Sequence, residues 1–119
     1  MANPFIHVEL DTTDLPKARE FYGKLFDWKL TTDASNPTYT MVEVGKGTGG
    51  GMMKHPQPGA PSMWLPYVEV GDVASVTRRA RELGGTIAKD KTEVPGIGWF
   101  ALLVDPTGAM LGLLEPKTR

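Results

Sequence analysis

Phe5-Ile6-His7-Val8-Glu9-Leu10-Asp11-Thr12-Thr13-Asp14 is the stretch on which the fold turns, because the chain contains it twice. With changed letters it returns as Met63-Trp64-Leu65-Pro66-Tyr67-Val68-Glu69-Val70-Gly71-Asp72. Each copy reads as a short strand, a turn, and an aspartate placed to cap a helix. The segment after each aspartate repeats too. Leu15, Ala18, Tyr22 and Leu25 lie on one face of a helix, and Val73, Val76, Ala80 and Leu83 lie on one face of another at the same spacing. The single shift that carries His7 onto Leu65 superposes strand, cap and helix without a gap, so the chain is two tandem copies of one unit.

The remaining segments complete each copy. In the first, Trp28 to Thr32 and Tyr39 to Val44 read as strands, and Ser35-Asn36-Pro37 as the turn between them. A glycine-rich turn, Gly45 to Gly51, leads to a short strand ending at Lys54. His55 to Pro61 carries Pro56, Pro58 and Pro61, which fits a connector rather than regular structure. In the second copy the helix from Asp72 to Leu83 is stopped by Gly84-Gly85. A strand begins at Thr86, another spans Trp99 to Val104, Asp105-Pro-Thr-Gly108 makes a tight turn, and Met110 to Leu114 is the last strand. Pro66 suggests either an edge strand or the point at which pairing starts. The expectation is one α+β domain over 1–119, with module one at 4–55, a connector at 56–62 and module two at 63–116, each module β-α-β-β-β.

Composition bounds the function. The chain has 119 residues, enough for one core, and halves of that size would be marginal alone. A formal net charge of −1 gives no reason to expect a nucleic-acid partner or an anionic membrane. The longest strictly apolar run, Trp99 to Val104, is too short to span a bilayer, and the beginning of the sequence shows no secretory pattern. With no cysteine there are no disulfides, thiolate metal sites or thiol nucleophiles, which agrees with a cytoplasmic location. Gly45 to Gly51 lacks the spacing of a phosphate loop, and no Gly-x-Ser-x-Gly elbow is present. Arg78, Arg79 and Arg81 fall off the apolar stripe of their helix and read as a solvated face, and His55 reads as exposed beside the connector.

The combination of His7, Asp14-Leu15, Phe21-Tyr22, Val68-Glu-Val-Gly-Asp72, Leu83-Gly-Gly85 and Asp105-Pro-Thr-Gly108-Ala resembles the vicinal oxygen chelate superfamily, also called the glyoxalase/bleomycin resistance/dioxygenase superfamily. The likeness covers essentially the whole chain. It implies two paired modules whose curved mixed sheet forms a central cleft. In metal-dependent members, side chains from the first and last strand of each module bind a divalent cation there. Carried over position by position, those ligands would be His7, Leu65, Gly51 and Gly112. His7 alone offers a donor, whereas a catalytic zinc needs about three protein ligands. The sequence therefore resembles a metal-poor branch with mycobacterial-antigen-type members, and no cofactor is expected.

Parity on the strands nominates the site. His7 and Glu9 share a face, where a carboxylate could orient an imidazole or raise its pKa. His7 could act as a general base, a hydrogen-bonding group or a ligand, or it could be structural; Glu9 could equally be solvated. Tyr67 stands at the position symmetric to Glu9. Tyr39, Met41, Glu43 and Trp99 read as facing the cleft, while Val42, Val44, Phe100, Leu102 and Val104 read as lying under the helices. Gly51 and Gly112 would let a ligand or another backbone approach closely. The expected function is binding of a small organic molecule by Tyr39, Met41, Tyr67, Trp99, Gly51 and Gly112 around His7 and Glu9, without the family metal, in a homodimer. The competing readings are an enzyme of lyase, isomerase or dioxygenase type using His7 and Glu9 as acid–base or residual metal-binding groups, and an interaction module with no small ligand.

Overall fold

A computed structural model of the chain describes residues 2–117. The strands and helices run in the order β1 (Phe5–Thr12), α1 (Leu15–Leu25), β2 (Lys29–Asp33), β3 (Asn36–Glu43), β4 (Gly50–Lys54), β5 (Met63–Glu69), α2 (Val73–Glu82), β6 (Thr86–Val94), β7 (Gly98–Val104) and β8 (Met110–Pro116). This is β-α-β-β-β twice over, an α+β fold. The chain forms two compact units. One is His7–Leu65; the other joins the residues up to Ile6 to the chain from Pro66 onward. The N-terminal stretch is tied into that second unit by Glu69 N–H donating to Pro4 O at 2.9 Å and by Asn3 Nδ2 donating to Glu69 O at 2.9 Å.

In the His7–Leu65 unit, β4 lies between β1 and β3, parallel to the first and antiparallel to the second, and β3 continues antiparallel to β2. Register fixes two faces. Val8, Gly50, Val42 and Leu30 form one row across the strands, and Leu10, Met52 and Thr40 a second row on the same side. Leu10, Val42 and Met52 are buried there against Leu15, Ala18 and Tyr22 of α1, with Trp28, Leu30 and Val44 around them. The opposite face carries the row Glu9, Gly51, Met41 and Thr31.

The helix is specified at both ends. Asp14 Oδ1 accepts from Lys17 N–H at 3.0 Å, an N-cap bond whose loss typically costs about 1 kcal/mol. At the other end Phe26 turns extended while its N–H still donates to Tyr22 O.

In the second unit β8 lies between β5 and β7, parallel to β5 and antiparallel to β7, and β7 pairs antiparallel with β6. The β5–β8 register begins at Tyr67, directly after Pro66, as the missing proline N–H requires. Val70, Val73, Ala101 and Leu113 form the buried cluster beneath α2. Asp72 caps α2 through Ser75 N–H at 3.3 Å, and Glu115 Oε1 takes the neighbouring Val73 N–H at 2.9 Å. Gly84 (φ +96°) ends the helix left-handed, and Gly85 N–H donates to Ala80 O at 2.8 Å.

One expectation about this unit is corrected. Trp99 packs with Ala101 and Leu103 against the cluster under α2, so it does not share a face with Tyr67. Phe100 and Leu102, expected beneath the helix, lie on the other side. Leu102 is registered with Gly112, and Phe100 meets the Tyr67 ring edge-on at 6.5 Å. The physical reason is that β7 is apolar at every position from Trp99 to Val104, so alternation says nothing about facing, and a one-residue choice inverts every side chain. What decides it is Ala101: it is fully buried, small enough to let α2 approach the sheet.

Candidate functional site

The site is built on β1 and β3, on the face opposite α1. His7 and Glu9 project two residues apart from β1, and β3 brings Tyr39 to both of them. The Tyr39 hydroxyl is 2.7 Å from His7 Nε2 and donates to Glu9 Oε1 at 3.1 Å. The imidazole and phenol planes lie within 20° of parallel, with centroids 6.4 Å apart. A phenol has one proton. That proton goes to Glu9, so the Tyr39 oxygen accepts from His7 Nε2–H. That bond selects the tautomer in which Nδ1 carries the lone pair. Burial pushes the His7 pKa below its ordinary value of 6.5, so the ring is neutral at physiological pH.

Gly51 explains why the tyrosine can reach this position. It is buried between Glu9 and Met41 in the register, and a Cβ on it would fall inside the Tyr39 ring. Met41, on the same row, is 39% exposed and adds an accessible apolar side chain beside the polar group. His7, Glu9, Tyr39, Met41 and Gly51 therefore come together within one unit. Glu43, two residues further along β3, is exposed and lies 4.0 Å from Lys29 Nζ.

The second unit repeats the device with different strands. Tyr67, buried on β5, is paired with Gly112 on β8, and a Cβ on Gly112 would collide with the Tyr67 ring. Trp99 belongs to the opposite face, where Lys91 Nζ lies 5.3 Å from its ring centroid.

Two features escape sequence reasoning. The first is the bridging role of Tyr39. A tyrosine one side-chain step from a glycine on the neighbouring strand is the signal, but it requires the β3–β4 register. The second is Asp11, which continues the stripe of His7 and Glu9. It is 6% exposed, and its Oδ1 has no hydrogen-bond partner among the described residues. His55, expected to be exposed, is half-buried, and its Nδ1 accepts from Gln57 N–H at 3.0 Å inside the connector. Asp105 is a turn residue: its carboxylate accepts from the backbone of Thr107 and Ala109 and from the Thr107 hydroxyl, which holds its pKa below the usual carboxylate range.

The model of the Glyoxalase/Bleomycin resistance protein/Dioxygenase superfamily matches residues 5–113. The chain belongs to that superfamily. Among its relatives is a proposed glyoxylase of Mycobacterium tuberculosis, CFP32, 34% identical over 86 residues, covering 72% of this chain and 33% of that protein. The anthracycline biosynthesis protein DnrV of Streptomyces peucetius is 26% identical over 117 residues, covering 85% of this chain and 42% of that protein. The chain thus spans a third to under half of the curated relatives it matches. Among solved structures, methylmalonyl-CoA epimerase from Mycobacterium tuberculosis superposes with a TM-score of 0.70 at 17% identity, over 96% of this chain and 88% of that one. At that identity the likeness is one of fold.

The superfamily's divalent metal does not fit the residues present. Of the corresponding positions, His7 offers a donor, Leu65 is a buried hydrocarbon, and Gly51 and Gly112 offer none. The space beside both glycines is taken by tyrosine rings. Among the described residues no group of three or more His, Asp or Glu side chains is placed to hold a metal ion.

Proposed function

We propose that this superfamily member binds a small carbonyl- or hydroxyl-bearing organic molecule at His7, Tyr39 and Glu9, without the family metal. The observation that carries the reading is the Tyr39 hydroxyl, held between His7 Nε2 and Glu9 Oε1 beside Gly51. A hydroxyl bridging a neutral base and a carboxylate can exchange either bond for one to a ligand oxygen, and Met41 supplies adjoining apolar surface. Tyr67 over Gly112 repeats the tyrosine-over-glycine packing in the second unit. Deleting one hydrogen bond to a ligand typically costs about 1 kcal/mol, which is about a fivefold change in affinity.

The test is calorimetric titration with a panel of small ketones, hydroxy acids and polyketide-like phenols. The part that DnrV takes in anthracycline biosynthesis makes the last group a sensible inclusion. Tyr39→Phe and His7→Ala should each weaken any hit several-fold while the far-UV spectrum is unchanged. Affinities equal to wild type in both variants would place binding elsewhere.

A second reading is an acid–base enzyme. It is favoured by the lowered pKa of His7, which leaves an unprotonated imidazole able to take a proton at neutral pH. Isomerisation or elimination next to a carbonyl is the chemistry such a group performs, and an epimerase shares the fold. Turnover of panel members that is abolished by His7→Ala and indifferent to added metal would select this reading over simple binding. Homodimerisation and a cytoplasmic location accompany both readings. Phe21 and Leu25, 57% and 56% exposed on α1, are apolar surface that a dimer could cover, and no helix among the described residues is long and apolar enough to cross a membrane. Light scattering at a mass near 12.9 kDa across a concentration series would rule the dimer out.

A further inference from the structure

The helix side of the first half-sheet contains a gap. In the row Val8–Gly50–Val42 the middle strand contributes no side chain, whereas in the next row Met52 is fully buried between Leu10 and Thr40. Gly50 cannot be replaced by anything larger, because a Cβ there would collide with the Val8 carbonyl oxygen. The consequence is a cavity of about 280 Å³ floored by backbone at residues 49–50. Its walls are Val8, Val42, Val44, Trp28 and Trp64, with Thr48 at one side. The two indoles meet edge to face, 6.3 Å apart at 80°. Phe26 packs on Trp28 at 4.8 Å, and Tyr22 of α1 contacts both indoles, at 5.8 Å from Trp28 and 5.4 Å from Trp64. Trp64 is 39% exposed, so the cavity is reachable from outside.

We propose that this cavity is a binding site for a flat, uncharged aromatic molecule of one or two rings. Among the described residues no ionisable side chain stands in its wall, so a charged guest would lose hydration without gaining a partner. The perpendicular indoles let a flat guest stack on one ring and meet the edge of the other, the arrangements aromatic groups prefer. The volume excludes larger ring systems. The site lies on the opposite face of the half-sheet from His7, Glu9 and Tyr39, so it stands or falls independently of ligand binding at those residues.

Prodan, a neutral probe built on a single naphthalene that brightens in apolar surroundings, tests it. Titration into the full chain should give saturable one-to-one binding with quenching of tryptophan emission. Val44→Phe, which fills the cavity from its wall, should weaken the probe by at least about tenfold; Trp64→Leu should weaken it as well, and Tyr39→Phe should leave it unchanged. In the wild-type protein, the methyl resonances of Val8, Val42 and Val44 should shift on probe addition, a readout that holds even if a variant fails to fold. Absence of saturable binding, methyl shifts confined to other residues, or wild-type affinity in folded Val44→Phe would overturn the proposal.

Discussion

The hydroxyl end of Tyr39 lies over Gly51, in the space where any side chain on residue 51 would begin. The two positions are therefore one device: the glycine on β4 is what allows the tyrosine from β3 to reach His7 and Glu9 on β1. In a superfamily whose metal-dependent members place a ligand on that strand, the phenol stands where the ligand's side chain would project.

Gly51→Ala puts that pairing to the test. The added methyl must displace the Tyr39 ring, breaking its bonds to His7 and Glu9 and straining a buried strand. Overpacking of this kind costs about 1–3 kcal/mol. Urea denaturation should show that loss, and Gly51→Ala in a Tyr39→Ala background should show much less. Equal losses in both backgrounds would mean that the glycine serves backbone closeness alone.

Much of this architecture is legible in the letters of the chain. The duplicated strand–cap–helix stretch predicts both modules, and Asp14 and Asp72 cap the helices as their positions suggest. His7, Glu9, Tyr39 and Met41 emerge on one face because β1 and β3 mix polar with apolar residues, so their alternation can be read. Trp99 does not, because β7 carries no polar residue to mark its outer side. The bond between Tyr39 and His7 is also out of reach. It depends on which residue of β3 stands beside Gly51, and register is set by the packing of the whole sheet rather than by the local letters.

Stability should depend on pH through His7. Its folded pKa is depressed by burial, so between that value and the unfolded value of about 6.5 the unfolded chain binds more protons than the native one. The contribution is therefore fully present above about pH 6.5 and is lost as pH falls through the lower, folded value. The Nε2–H bond to Tyr39 is available to the neutral and the charged ring alike, so the dependence comes from the cost of desolvating the charged imidazole. Thermal melts of wild type between pH 8 and pH 5, compared with His7→Gln, should show a steeper decline for wild type. Parallel curves would mean that His7 is solvated.

Protein purified without chelators should contain no stoichiometric zinc, iron, nickel or manganese, because His7 has no companion donors at the superfamily positions. Elemental analysis decides this. One tightly held transition metal per chain would point to a different donor set and would require the Tyr39 bridge to open.

Trp99 and Tyr67 lie on opposite faces of the second unit's strands. Trp99 rests on Val70, Val73, Ala101 and Leu113 beneath α2, while Tyr67 lies over Gly112 with Phe100 at its edge. Truncating a large aromatic in a core costs about 3–5 kcal/mol when it is fully enclosed. Trp99 is only partly buried, so Trp99→Ala should cost somewhat less than that, measured as a lowered denaturation midpoint. It should leave the affinity for any ligand of the His7–Tyr39–Glu9 group unchanged at temperatures where the variant is folded. Tyr67→Phe keeps the ring in the space over Gly112, so that packing is preserved. A Trp99→Ala protein of normal stability would contradict the packing of Trp99 against the cluster beneath α2.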